Sequence, residues 1–204
     1  MQVYYCYTTE FANLDGKQLL SEKRQAEIDR LQCKEDKIRS LVAGLLIRYV
    51  FGEDEKKVEF SQHGKPYIKD RQKFNLSHSN DMVIIAVDTE EIGVDVEFVK
   101  DIKSGAIKRC FTTEEQCWLE ENYSSINFYK LWTGKESVMK ATGLGFLQKP
   151  KTFSVLPISN GARQINDKKF YLNWQEIGDY TLCICSNNPV NCAPINLTKI
   201  NLLK

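Results

Sequence analysis

Residues 92–98 read Ile-Gly-Val-Asp-Val-Glu-Phe, and residues 132–140 read Trp-Thr-Gly-Lys-Glu-Ser-Val-Met-Lys. On a strand, successive side chains point to opposite faces, so Asp95 and Glu97 share one face while Val94, Val96 and Phe98 share the other. On a helix, Trp132, Glu136 and Lys140 fall on one stripe at steps of four. The chain therefore sets an acidic strand face and a charged helix stripe into otherwise apolar elements.

Working outward, residues 3–8 (VYYCYT) have the β-branched and aromatic content of a strand. Residues 17–31 read as a helix. Residues 35–51 read as a clearer one, because Ile38, Leu41, Val42, Leu45, Leu46, Tyr49 and Val50 recur at three- and four-residue steps and Gly52 ends the pattern. Gly64–Pro66 marks a turn. Residues 74–76, 82–88 and 92–99 follow as short strands, the last two joined by Thr89-Glu90-Glu91 as a hairpin loop. Thr112 with Glu115 three residues on is a capping-box pattern, which predicts a helix to about Asn122. A further helix is predicted over 128–142, closed by Gly143 and Gly145, and strands near 152–157, 169–175 and 180–186. Lys73-Phe74-Asn75-Leu76 echoes Lys169-Phe170-Tyr171-Leu172, a weak sign of two related halves. The mixture of helices and hairpins predicts an α+β fold.

The 204 residues allow one large domain or two small ones. A net charge of +1 offers no basic field for nucleic acid. Residues 17–48 are locally basic, with eight Lys or Arg against five Asp or Glu, which suits solvated helix faces equally well. Seven cysteines without a CxxC pair, and only two histidines, argue against a zinc site and suit a reducing compartment. Cys183 and Cys185 alternate on one strand face. The N-terminus lacks a leader pattern, and the longest strongly apolar run, 82–87, is too short to span a bilayer. The expectation is a cytoplasmic protein with no membrane partner.

Three segments can carry chemistry. Asp95 and Glu97 repel each other if buried, and a hard divalent cation with oxygen ligands would resolve the conflict; two solvated acids are the plainer alternative. Glu136 can add a third carboxylate and Lys140 can meet a phosphate, or the two can form a surface pair worth a few tenths of a kcal/mol. Gly64-Lys65-Pro66 and Phe74-Asn75-Leu76-Ser77-His78-Ser79 offer hydroxyl and imidazole groups suited to phosphate oxygens. A serine–histidine hydrolase cannot be assembled from them, and His78 can equally be a hydrogen-bonded structural residue.

Taken in order, GKPY (64–67), FNLSHS (74–79), IGVDVE (92–97) and WTGKESVMKATGLG (132–145) resemble the 4′-phosphopantetheinyl transferase family. The likeness is to its two-domain, surfactin-synthetase-activating type, which serves non-ribosomal peptide and polyketide synthases. That resemblance implies a pseudo-twofold pair of α+β halves, 1–100 and 101–204, with the active site in the cleft between them and the chain acting as a monomer. It implies a holo-carrier-protein synthase that moves the phosphopantetheine arm of coenzyme A onto a serine of an apo acyl, polyketide or peptidyl carrier protein, releasing 3′,5′-ADP. By motif match, Asp95, Glu97 and Glu136 would bind Mg²⁺. Lys140 would stabilise the leaving charge, and Glu136 can also take the serine proton. Ser77, His78, Lys65, Lys135 and, on looser alignment, Lys23 and Arg39 would contact coenzyme A. Glu115 matches an acidic position near the active site, with its capping role an equal explanation. The alternative is a module that binds coenzyme A or a carrier without transfer.

Overall fold

A computed structural model describes residues 1–102 and 107–204. Its elements are β1 (Gln2–Tyr7), α1 (Glu22–Arg30), α2 (Lys34–Phe51), β2 (Glu59–Phe60), β3 (Pro66–Tyr67), β4 (Lys73–Ser79), β5 (Met82–Asp88) and β6 (Ile92–Phe98). They continue as α3 (Ile107–Cys110), α4 (Thr113–Glu121), α5 (Ser125–Thr142), β7 (Gly161–Ile165), β8 (Lys168–Ile177), β9 (Tyr180–Ser186), β10 (Ile195–Asn196) and α6 (Lys199–Leu202). The fold is α+β, as the sequence predicts.

The larger strands make two four-stranded sheets, ordered β10-β1-β5-β4 and β6-β9-β8-β7. β5 and β9 are buried along their whole length, which is why each reads as a continuous apolar run. Alternation divides their side chains between cores. Val83, Ile85 and Val87 of β5 pack with Leu41, Leu45 and Leu46 of α2. Cys183 and Cys185 of β9 pack with Val138 and Met139 of α5. The opposite faces meet in a third core, where Met82, Ile84 and Ala86 touch Val94, Val96, Leu182 and Ile184. The order of layers is α2, first sheet, second sheet, α5.

Both halves use one topology. β1-β5-β4 and β6-β9-β8 are antiparallel throughout, and an eighteen-residue helix, α2 or α5, intervenes between the first strand and the other two. The echoing tetrapeptides begin on β4 and β8, the equivalent strands.

Several expectations are corrected. Thr89-Glu90-Glu91 does not close a hairpin, because β5 pairs with β1 and β4 whereas β6 pairs with β9. The apolar faces of β5 and β6 meet across the gap between sheets instead. The tight hairpin lies one strand earlier, where Asn80 (φ 49°) and Asp81 join β4 to β5. In sheet membership the strand carrying Asp95 and Glu97 goes with the C-terminal half, so the seam falls between β5 and β6 rather than near residue 100. The chain end also crosses back: β10 pairs with β1, and Lys199 donates its backbone N–H to Glu10. Residues 152–157 form no strand, since the Val155 amide bonds to the Glu115 carboxylate instead of a ladder. The helix expected over 17–31 is a 3-10 turn followed by α1, which Ser21 caps. The capping box at Thr112 and Glu115 is present. Among the described residues no helix is long and apolar enough to cross a membrane.

Candidate active site

Gly93, Asp95 and Glu97 occupy the face of β6 turned toward α5, and Gly93 sets how close the two elements come. A methyl group there would overlap the Ser137 carbonyl oxygen and the Ala141 amide nitrogen, so only glycine lets the helix backbone settle on the strand. Asp95, the next residue on that face, meets Lys140, with 2.7 Å between Oδ1 and Nζ. The same ammonium donates to Ser77 Oγ (2.9 Å) and to the Val94 carbonyl (3.2 Å). Ser77 in turn donates to Asp95 Oδ1 at 2.8 Å. Glu97, one step further, accepts the Trp132 indole N–H at 3.2 Å and the Ser79 hydroxyl at 2.6 Å. Glu136 lies on α5 one turn from both Trp132 and Lys140.

Three carboxylates therefore share one partly desolvated cleft. Burial, then repulsion from Asp95 and Glu97, pushes the Glu136 carboxyl up to about 7 despite Lys140. Burial likewise raises Glu97, with Asp95 adding repulsion while Ser79, Trp132 and Lys140 pull it back. Asp95 Oδ2 and Glu136 Oε1 are buried without any hydrogen-bond partner. Such groups are costly unless something outside the protein satisfies them. Two free carboxylate oxygens in an all-oxygen donor set fit a hard divalent cation such as Mg²⁺, which uses one or two carboxylates and completes its shell with water and substrate phosphate. Among the described residues no three carboxylate, imidazole or thiol groups already converge as a closed metal cage.

The other expected contacts divide. His78 is exposed on β4, where the surrounding cleft, then Arg39 and Lys140, hold its imidazole below the usual histidine range. Arg39 donates to the Asn80 carbonyl at 3.2 Å and pairs with Asp36, while its buried Nε has no partner. It lines a hollow of about 320 Å³ with Lys34, Asn80 and Asp81. Lys65 is tied to Glu91 (2.7 Å) and to the Ala141 carbonyl at the end of α5 (2.9 Å). Lys23 stands on α1 over the Phe60 ring. Lys135, expected at a phosphate, points away from the cleft and is buried against Glu115. Glu115 thus caps α4 and binds Lys135.

Sequence reasoning gave the Trp132 indole and Gly93 no role, and it read the Ser79 hydroxyl as a phosphate contact where the structure has it donating to Glu97. The alternation Asn75-Leu76-Ser77-His78-Ser79, polar at every second residue of the strand, was the available signal. Gly134, which costs helix stability, is explained by packing: a methyl group there would lie 2.8 Å from Trp174 Cζ2 and 3.2 Å from Val155 Cγ2.

Comparison with known proteins gives matches in both regions of the chain. Residues 91–185 match the model of the 4′-phosphopantetheinyl transferase superfamily, and residues 9–90 match that of the 4′-phosphopantetheinyl transferase N-terminal region. The chain is 30% identical over 194 residues to a 4′-phosphopantetheinyl transferase of Bacillus subtilis, covering 87% of each protein. It is 31% identical over 186 residues to the transferase Sfp of Bacillus subtilis strain 168, covering 83% of each. The transferase gsp of Aneurinibacillus migulanus is 32% identical over 142 residues, 65% of this chain and 60% of its own length. With similarity running through both halves and the carboxylate-bearing strand and helix, the chain belongs to the 4′-phosphopantetheinyl transferase family.

Proposed function

We propose that this protein transfers the 4′-phosphopantetheine moiety of coenzyme A to a serine of an apo acyl, polyketide or peptidyl carrier protein, releasing 3′,5′-ADP with Mg²⁺ as cofactor. The observation that carries this reading is the pair of partnerless buried oxygens, Asp95 Oδ2 and Glu136 Oε1, beside the Lys140 ammonium. Two free carboxylate oxygens next to a fixed ammonium suit a site that receives a cation and a pyrophosphate together.

Asp95, Glu136 and Glu97 would hold the cation. When bound, such a cation would supply positive charge to the pyrophosphate. Lys140 is fixed by three acceptors and offers positive charge to the departing phosphate. Glu136 is also placed to take the proton of the attacking serine, with one carboxylate oxygen on the cation and the other toward the hydroxyl. Arg39 Nε, His78 and the neighbouring Lys34 offer contacts for the nucleotide phosphates. Lys65, Lys23 and Ser77 are further candidates on the coenzyme A side, each after exchange of a present partner.

In this reading the first half supplies nucleotide contacts and the second supplies the carboxylates and Lys140. One chain carries both halves of the cleft, which supports action as a monomer. Seven free cysteines support a reducing, cytoplasmic setting. Intact mass of an apo carrier after incubation with the protein, coenzyme A and Mg²⁺ tests the reading. The expected result is a gain of one phosphopantetheine that a chelator prevents. No gain on acyl, polyketide or peptidyl carriers, with coenzyme A still bound, would leave a binding module.

A further inference from the structure

β4 and β6 are edge strands of different sheets, yet they run side by side through the heart of the site. β6 pairs with β9 along one edge only. The N–H groups of Val94, Val96 and Phe98 point the other way, and a buried N–H without an acceptor is destabilising. Three side chains of β4 supply those acceptors. Asn75 Oδ1 accepts from Val94 N (2.9 Å), Ser77 Oγ from Val96 N (3.4 Å) and Ser79 Oγ from Phe98 N (3.1 Å). The offset is nineteen residues at every rung, so polar side chains at every second residue of β4 match every second amide of β6.

Each serine rung has a second function. A hydroxyl has one proton to give and two lone pairs with which to accept. Ser77 and Ser79 accept from the β6 backbone and spend their protons on the carboxylates beside it, Ser77 on Asp95 and Ser79 on Glu97. Asp95 is also held by Lys140. Among the described residues Glu97 has neutral donors alone: the Ser79 hydroxyl on Oε2 and the Trp132 indole on Oε1. Each carboxylate oxygen keeps a free lone pair, so these bonds orient Glu97 without closing it to another partner.

We propose that Ser79 is a positioning residue of the transferase: its hydroxyl, anchored on the Phe98 amide, fixes the rotamer of Glu97 and thereby sets the cation affinity of the cleft. This rests on the transferase reading above. Partners that orient a metal-binding carboxylate typically change affinity by about 10- to 100-fold when removed. Ser79 is the half-buried end rung, while Asn75 and Ser77 are buried, so its hydroxyl can be deleted with the other two rungs kept.

The test titrates Mn²⁺, observed by its electron paramagnetic resonance, into the wild type, Ser79→Ala and Ser79→Thr in the presence of coenzyme A, with thermal unfolding recorded on the same samples. The expected outcome is a Mn²⁺ dissociation constant raised about tenfold in Ser79→Ala, restored to within a few-fold in Ser79→Thr, with all three proteins folded. A dissociation constant in Ser79→Ala within twofold of the wild type overturns the proposal, as does a threonine variant no better than alanine. A wild type that neither binds Mn²⁺ nor loads any carrier would sink the transferase reading itself, an outcome visible before any variant is compared.

Discussion

Lys135 Nζ lies 2.7 Å from Glu115 Oε2, and both side chains are 0% exposed. The lysine also donates to the carbonyls of Pro150 (2.8 Å) and Phe153 (2.5 Å) and sits 4.6 Å from the Phe153 ring centroid. The glutamate accepts from the amides of Thr112 (2.8 Å) and Val155 (3.0 Å). One fully satisfied pair thus joins the start of α4, the middle of α5 and residues 150–155. Removing one partner of such a pair strands a buried charge, at a cost of about 3–5 kcal/mol. Lys135→Met is expected to lose stability of that order in urea unfolding, while the folded fraction keeps its KM for coenzyme A. A raised KM at unchanged stability would return Lys135 to the phosphates.

Gly93 and Gly134 make a contrasting pair. Gly93→Ala drives a methyl into two backbone atoms of α5 that cannot rotate away. Overpacking of this kind costs about 1–3 kcal/mol, and here it also parts Asp95 from Lys140. Turnover should fall at least about 100-fold, as expected when reacting groups shift by an ångström. Gly134→Ala meets only the side chains of Trp174 and Val155, and alanine regains about 1 kcal/mol of helix propensity. A smaller loss of stability than in Gly93→Ala is expected there, with carrier loading kept, because the gain in propensity offsets part of the crowding against the Trp174 ring. Equal damage by both substitutions in thermal melts and carrier loading would contradict this account.

Asp95→Ala and Glu136→Ala should abolish carrier loading and leave the fold intact. Each removes one of the partnerless oxygens, and neither carboxylate carries a hydrophobic core. Circular dichroism and intact-mass assays measure the two halves of this expectation. Near-wild-type loading in either variant would refute the assignment of the cleft.

The Glu136 carboxyl gives stability a pH dependence of definite sign. Its ordinary value of 4.5 is raised to about 7 in the folded chain, so between those values the native state keeps a proton that the unfolded state releases. This contribution is present in full below 4.5 and is lost as pH rises through 7. In the presence of a chelator, the melting temperature of the wild type should decline from about pH 5 to about pH 7.5 relative to Glu136→Gln. Mg²⁺ with coenzyme A should offset the decline, because ligands that bind only the native state stabilise it. Parallel curves for the two proteins in chelator would show that Glu136 ionises normally.

His78→Ala should mainly weaken coenzyme A. The imidazole is exposed beside Arg39 and Lys140 and touches none of the carboxylate bonds. A several-fold higher KM for coenzyme A with kcat within about threefold is expected for lost ground-state binding. Loss of turnover at saturating coenzyme A would place His78 in the chemistry instead.

Much of this molecule is local information and is legible as such. Alternation in residues 92–98 puts Asp95 and Glu97 on one face, and four-residue steps in 132–140 align Trp132, Glu136 and Lys140. The Thr112 capping box, the end of α2 at Gly52 and the extent of β9 are set by neighbours a few residues away. The echo between residues 73–76 and 169–172 marks equivalent strands of two halves with one topology.

Tertiary structure alone decided what each ionisable group faces. Lys135 and Glu136 are adjacent on one helix, yet one is sealed against Glu115 and the other leaves an oxygen free in the cleft. Thr89-Glu90-Glu91 reads as a hairpin because its flanks are two short apolar strands, but β6 found its partner in β9, far along the chain. Asn75, Ser77 and Ser79 look like an ordinary polar strand face until β6 is laid beside them. Periodicity fixes the direction of a side chain relative to its own backbone; its partner is fixed by which distant segment packs against that face, and a one-dimensional pattern carries no term for that contact.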